Sequence, residues 1–153
     1  KGQYVPQDNL EDIELRVDYP AFIPDEYIEK SQKIKVYRDL VEIDNLENLK
    51  AYKDEIQDIY GKMPPEAVGL FEYIALKFKA RDAGIKTAIV TDDGKSEIRF
   101  DREKVEIEVV FKMLQDGVIT YLNRDELIIY KGSIEEFLEQ YDQYKRRVEY
   151  ERI

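Results

Sequence analysis

Hydrophobic and polar residues alternate from Ile13 onward. Ile13, Leu15, Val17 and Tyr19 fall on one side, and Glu14, Arg16 and Asp18 on the other. A period of two is the signature of a half-buried strand, and Pro20 ends it. Residues 21–28 carry Pro24 and Asp25 and read as a turn or a helix entry. The period then lengthens. Ile34, Tyr37, Leu40 and Val41 recur at helical spacing and predict a helix ending near Asp44. Asn45 is a good N-cap for a second helix, with Leu49, Tyr52, Ile56 and Ile59 on one stripe and Gly61 as its stop. Pro64-Pro65-Glu66 opens a third helix, since proline suits a first helical turn. Leu70, Tyr73, Ile74, Lys77 and Phe78 continue it, and Gly84 closes it.

Beyond Gly84 the pattern turns to strands. Ile85–Thr91 and Ser96–Phe100 flank Asp92-Asp93-Gly94-Lys95, a tight hairpin turn. Residues 102–115 fit two periods. Val105, Ile107 and Val109 alternate as in a strand, whereas Ile107, Val110, Phe111 and Leu114 fit a helix. Asp101 as N-cap and Gly117 as terminator favour the helix. Val118–Leu122 and Asp125–Tyr130 form a second hairpin about Asn123-Arg124. Ser133 and Glu136 make a capping box for a last helix carrying Ile134, Phe137, Leu138, Tyr141 and Val148. Residues 1–9 have no apolar periodicity and read as a linker or tail. Residues 10–153 are expected to form a single α+β domain. In it, three consecutive helices precede β-hairpins and two further helices, with a mainly antiparallel sheet.

Composition narrows the chemistry. The 153 residues contain no His, Cys or Trp. Thiol nucleophiles, His-based triads and zinc sites built from Cys or His are therefore excluded. The absence of Cys fits a reducing compartment, and a cytoplasmic location is expected. No apolar run approaches the roughly 18 residues of a membrane span, and the polar N-terminus does not read as a signal peptide. A chain starting at Lys1 is expected to be part of a longer protein. The formal net charge is −10, which argues against duplex DNA or an anionic membrane as the main partner.

Candidate sites are few. Ser31, Ser96 and Ser133 have no histidine to activate them. Asp92 and Asp93 are explained by turn chemistry. No Gly-rich phosphate loop is present. Lys145, Arg146 and Arg147 form a basic tract, read either as stabilisation of a helix end or as a nucleic-acid contact. A carboxylate hydrolase would need two convergent acids in a pocket, which no spacing here demonstrates. The sharper feature is on the second helix. Glu55 and Asp58, spaced i, i+3, share a face with Asn48, Ala51 and Lys62. At 3.6 residues per turn, the apolar stripe lies about a quarter-turn away. That face is either a solvated acidic surface or a docking site for arginines, which grip carboxylates in bidentate geometry.

Several stretches resemble the C-terminal domain of the bacterial transcription-repair coupling factor family. They are Ile-Pro-Asp-Glu-Tyr-Ile at 23–28, Lys-Ile-Lys-Val-Tyr-Arg-Asp-Leu at 33–40 and Glu55-Ile-Gln-Asp58-Ile-Tyr60-Gly61-Lys-Met-Pro64. Ala80-Arg-Asp-Ala-Gly84-Ile85 resembles the end of the next family helix. The likeness covers residues 11–90 well and continues in element order to about 150. Two departures stand out. Tyr27-Ile28 is followed by Glu29-Lys30 where the family has Pro-Asp, and the family's arginine after Asp58 is Ile59 here.

The resemblance implies a non-catalytic regulatory domain without cofactor or metal. Its parent would be an ATP- and Mg-dependent DNA translocase that displaces stalled RNA polymerase and recruits UvrA for nucleotide-excision repair. The domain would fold back on a UvrB-like module of the same protein and mask the UvrA-binding surface until polymerase is engaged. In that reading Glu55 and Asp58 meet arginines of the UvrB-like module. The alternative is an accessory nucleic-acid contact through Lys145, Arg146 and Arg147.

Overall fold

The computed structural model describes residues 13–122 and 127–152. The expected tail at 1–9 and the turn at Asn123-Arg124 lie outside the described residues. The elements run β1 (Glu14–Arg16), α1 (Lys30–Glu42), α2 (Leu46–Tyr60), α3 (Pro65–Asp82), β2 (Ile85–Val90), β3 (Ser96–Phe100), α4 (Ile107–Gln115), β4 (Ile119–Leu122), β5 (Leu127–Tyr130) and α5 (Ile134–Glu151). This is the α+β order that the hydrophobic pattern predicts. Contacts gather into two units, Asp18–Phe78 and residues 13–17 with 79–152.

The first unit is helical. Asn45 caps α2 by accepting a hydrogen bond from the Asn48 amide at 2.8 Å, satisfying one of the free N–H groups of the first turn. Gly61 ends α2 at φ 91°, a conformation that costs glycine nothing for want of a Cβ. Its N–H bonds the Gln57 carbonyl at 2.9 Å. Pro65 begins α3, and the Pro64 carbonyl accepts from the Ala67 and Val68 amides. Gly69 lets α3 approach the chain before α1, because a Cβ there would lie 2.1 Å from the Pro20 carbonyl oxygen. The core joins Ile23, Ile28, Val36, Leu40, Leu49, Ile56, Met63, Leu70, Phe71 and Phe78.

Three expectations for the helical stripes need correction. On α1 the buried residues are Val36 and Leu40, whereas Ile34 is 63% exposed and Tyr37 and Val41 also face outward. The helix is apolar on two sides, and packing selects one of them. On α2 Leu49 and Ile56 are buried, Tyr52 is half-buried, and Ile59 is 62% exposed. On α3 Phe71 and Leu76 are buried although they fall outside the expected stripe.

The second unit holds a five-stranded sheet of order β1-β2-β3-β5-β4. β1 pairs parallel with β2, and the other pairs are antiparallel. β1 is shorter than the alternation from Ile13 to Tyr19 implies, because its pairing with β2 extends only over Thr87–Ile89. The register aligns Leu15, Ala88, Ile98 and Ile128 across four strands, and all four are buried. The Asp92–Lys95 turn forms as expected, closed by the Thr91 amide on the Lys95 carbonyl at 2.8 Å.

Helix α5 carries the capping box, with reciprocal Ser133 and Glu136 hydrogen bonds. Its buried Phe137 meets the Tyr130 ring at 5.6 Å and the Phe100 ring at 6.2 Å. Burying such a side chain contributes about 1.5–3 kcal/mol. Tyr144 also joins the buried face, beyond the expected stripe. The helical reading of 102–115 holds for α4, but Asp101 is not its N-cap. Asp101 instead opens a turn by accepting from the Glu103 amide, and α4 begins at Ile107 behind Glu106.

Candidate functional site

Three of the four stretches carrying the family resemblance, 23–28, 33–40 and 55–64, lie in the first unit. The Ile23 amide donates to the Tyr37 hydroxyl at 3.0 Å. The Lys33 ammonium bonds the Ile23 carbonyl at 3.0 Å and pairs with Asp25. That cation holds the Asp25 carboxyl below the usual carboxylate range. The Tyr27 hydroxyl donates to the Gly61 carbonyl at 2.6 Å, and its ring lies 6.0 Å from that of Tyr60. Tyr27, distant in sequence, thus holds the end of α2 through both its hydroxyl and its ring. Beside this junction lies an open cleft of about 910 Å³, lined in part by Phe22, Tyr27, Lys62 and Met63. Its Asp25 is already tied to Lys33, which suits an ionised anchor and not a general acid.

Glu55 and Asp58 stand on the outer face of α2, both exposed. Neither makes an ion pair or side-chain hydrogen bond among the described residues. Asn48 and Ala51 are exposed on the same side, as is Lys62 just past the helix. Each carboxylate retains acceptor sites on two oxygens. The small Ala51 leaves the surface between turns open to a bulky partner group. Ile59, one turn beyond Glu55 and 62% exposed, adds an apolar edge.

A hydrogen-bonded cluster adjoins this face, and the hydrophobic pattern gives no sign of it. Asp39 on α1 accepts from the Tyr52 hydroxyl at 2.8 Å and from the Lys35 ammonium at 2.9 Å, both on Oδ2. The Lys35 contact chiefly holds the Asp39 carboxyl below its ordinary range, and the Tyr52 hydroxyl adds to it. Asp39 in turn raises Lys35, with a smaller pull from Glu55. Burial is the main cause raising the Tyr52 phenol, and Asp39 comes next. Tyr52 therefore joins the core through its ring and this cluster through its hydroxyl. The Lys35–Asp39 spacing of i, i+4 is the only sequence signal of the arrangement.

The basic tract is differently placed. Helix α5 runs on to Glu151, so Lys145, Arg146 and Arg147 do not occupy its last turn. Arg146 pairs with Asp142 at 2.8 Å. The Arg147 guanidinium lies 4.5 Å from the centre of the Tyr144 ring, and Lys145 is half-buried. Among the described residues no group of three or more Asp or Glu is arranged to hold a metal ion. No described helix is long and apolar enough to cross a membrane.

The elements define an α+β module built of a helical unit and a unit with a five-stranded sheet. The chain superimposes on the crystal structure of the C-terminal domain of a transcription-repair coupling factor with a TM-score of 0.68. The match covers 87% of this chain and 89% of that one at 22% identity. The family model described as TRCF domain matches residues 17–109, and the chain belongs to that family. Among its relatives, the transcription-repair-coupling factor of Staphylococcus epidermidis is 35% identical over 86 residues, 56% of this chain. That of Staphylococcus aureus is 28% identical over 120 residues, 75% of this chain. The matched regions span only 7% and 10% of those relatives' lengths.

Proposed function

We propose that this chain is the C-terminal regulatory domain of a transcription-repair coupling factor and performs no catalysis itself. In this reading it docks on a UvrB-like module of the same protein. Docking masks the surface that recruits UvrA until the protein engages RNA polymerase. The parent would be a cytoplasmic, ATP- and Mg-dependent DNA translocase, with DNA bound by its other domains. The observation that carries the reading is the pair Glu55 and Asp58: exposed, one turn apart and without an ion-pair partner among the described residues, on a helix inside the family match.

The physics suits a releasable clamp. Arginine meets a carboxylate through two parallel hydrogen bonds, which gives direction as well as attraction. Hydrated ion pairs are individually weak, about 0–1 kcal/mol. Tethering compensates, because a flexible linker supplies an effective concentration of order millimolar. Such a contact closes within one molecule and opens when a competing surface binds.

Titration calorimetry of this chain against the UvrB-like module tests the reading. Affinity is expected to fall as salt rises. It is expected to fall about tenfold or more in Glu55→Ala with Asp58→Ala, since two charge pairs are lost and arginines are left unpaired. Unchanged affinity in the double variant rejects the reading.

A further inference from the structure

We propose that Asp39 is a positioning residue for the α2 docking face: together with Tyr52 it holds Lys35 on α1 and so prevents Lys35 from neutralising Glu55. The proposal rests on the docking role of Glu55 and Asp58 and names a control built into that face. Among the described residues, Asp39 is the main carboxylate raising the Lys35 ammonium, and Glu55, one turn along α2 from Tyr52, adds a smaller attraction. Only Asp39 is in contact with it, at 2.9 Å. The lysine stem is long and flexible, and its side chain is 74% exposed, so it is free to change partners.

Helix spacing alone does not explain the choice. Lysine followed by an acid at i+4 is the weaker order of such pairs, because it opposes the helix dipole. The additional hold comes from α2. The Tyr52 hydroxyl donates to the same Asp39 oxygen at 2.8 Å, which fixes that carboxylate where Lys35 reaches it. Tyr52 and Glu55 are one turn apart on α2. The helix bearing the docking carboxylate therefore also bears the group that keeps the competing cation away. If Lys35 moved to Glu55, an incoming arginine would have to displace it first.

The test is binding of the UvrB-like module to Asp39→Asn, which keeps the shape of the side chain and removes the charge holding Lys35. Affinity is expected to weaken by about twofold to fivefold, the size of an exposed ion pair. Adding Lys35→Met is expected to restore it to the parent value or better. Unchanged binding in Asp39→Asn overturns the proposal. Weakened binding that Lys35→Met does not restore overturns it too, because Asp39 would then act directly or through the fold. Should Asp39→Asn fail to fold by circular dichroism, Tyr52→Phe makes the same test with the ring retained and the same two criteria. The two readings fail separately. No loss in Glu55→Ala with Asp58→Ala removes the docking site itself. Loss there, with none in Asp39→Asn, removes only the role of Asp39.

Discussion

Helices α2 and α5 are both long, both amphipathic and both marked by a charged tract, yet they treat those charges differently. On α5, Arg146 is paired with Asp142 and Arg147 rests on the Tyr144 ring. Glu151 of the same helix meets Lys112 of α4 at 3.1 Å, and Arg152 just past its end pairs with Glu108. On α2, Glu55 and Asp58 face outward with no such partner among the described residues. Charge density is therefore a poor guide to a binding face. A cation already satisfied by its own molecule gains little from a ligand, because the internal contact must be exchanged for the new one. An unpaired carboxylate bears no such exchange and keeps its full acceptor capacity.

The contrast breaks most visibly if the structural roles of the two helices are reversed. Phe137 of α5 is fully buried against the rings of Phe100, Tyr130 and Tyr141, so Phe137→Ala is expected to cost about 3–5 kcal/mol in urea unfolding. Glu55→Ala with Asp58→Ala is expected to stay within about 0.5 kcal/mol of the parent, as surface substitutions do. A large cost for the α2 double variant would mark those carboxylates as structural and end the comparison.

A smaller effect comes from α5 at high pH. Burial pushes the Tyr141 phenol up to about 12. Its buried hydroxyl lies near the Glu106 backbone and has no hydrogen bond of good geometry among the described residues. The unfolded phenol titrates near pH 10. Between those values the unfolded state has released its proton and the folded state has kept it. The contribution is therefore complete below about pH 10 and disappears as pH rises toward 12. Two pH units at 1.36 kcal/mol each correspond to about 3 kcal/mol. Unfolding measured from pH 8 to 12 is expected to show that decline, reduced in Tyr141→Phe. An identical decline in the variant would assign it to other raised phenols such as Tyr144, which donates to Asp116 at 2.6 Å.

The same two helices show what the sequence makes legible. The caps Asn45 and Ser133, the stop at Gly61 and the spacing of Glu55 with Asp58 are local features, and local geometry decides them. Burial is not local. Ile34 and Val36 are equally apolar, but only Val36 finds the core. Helix α4 has a polar face of Glu108, Lys112 and Gln115 and an apolar arc wider than its buried face, so Ile107 and Phe111 read as core yet are 56% and 59% exposed. Periodicity locates a stripe; it does not choose between two stripes when both are apolar. Tyr52 illustrates the other limit. Its ring fits the core pattern, while its bond to Asp39 depends on how α1 meets α2, a pairing that no spacing within α2 encodes.

The smallest expected effect is the sharpest test of paired against unpaired charge. A double-mutant cycle on Asp142 and Arg146, using Asp142→Ala and Arg146→Ala, is expected to give a coupling of about 0.3–0.5 kcal/mol, typical of an exposed helical ion pair. It should fade in 1 M salt, where the screening length falls to about 3 Å. The corresponding cycle on Lys35 and Glu55 is expected to give a smaller coupling, because Asp39 holds the lysine and Glu55 acts on it only at a distance. If both cycles gave equal coupling, Glu55 would already be paired and its face closed to an arginine. A larger coupling on α5 would place the difference between the helices in the partners of their charges, since each helix carries enough charge to bind.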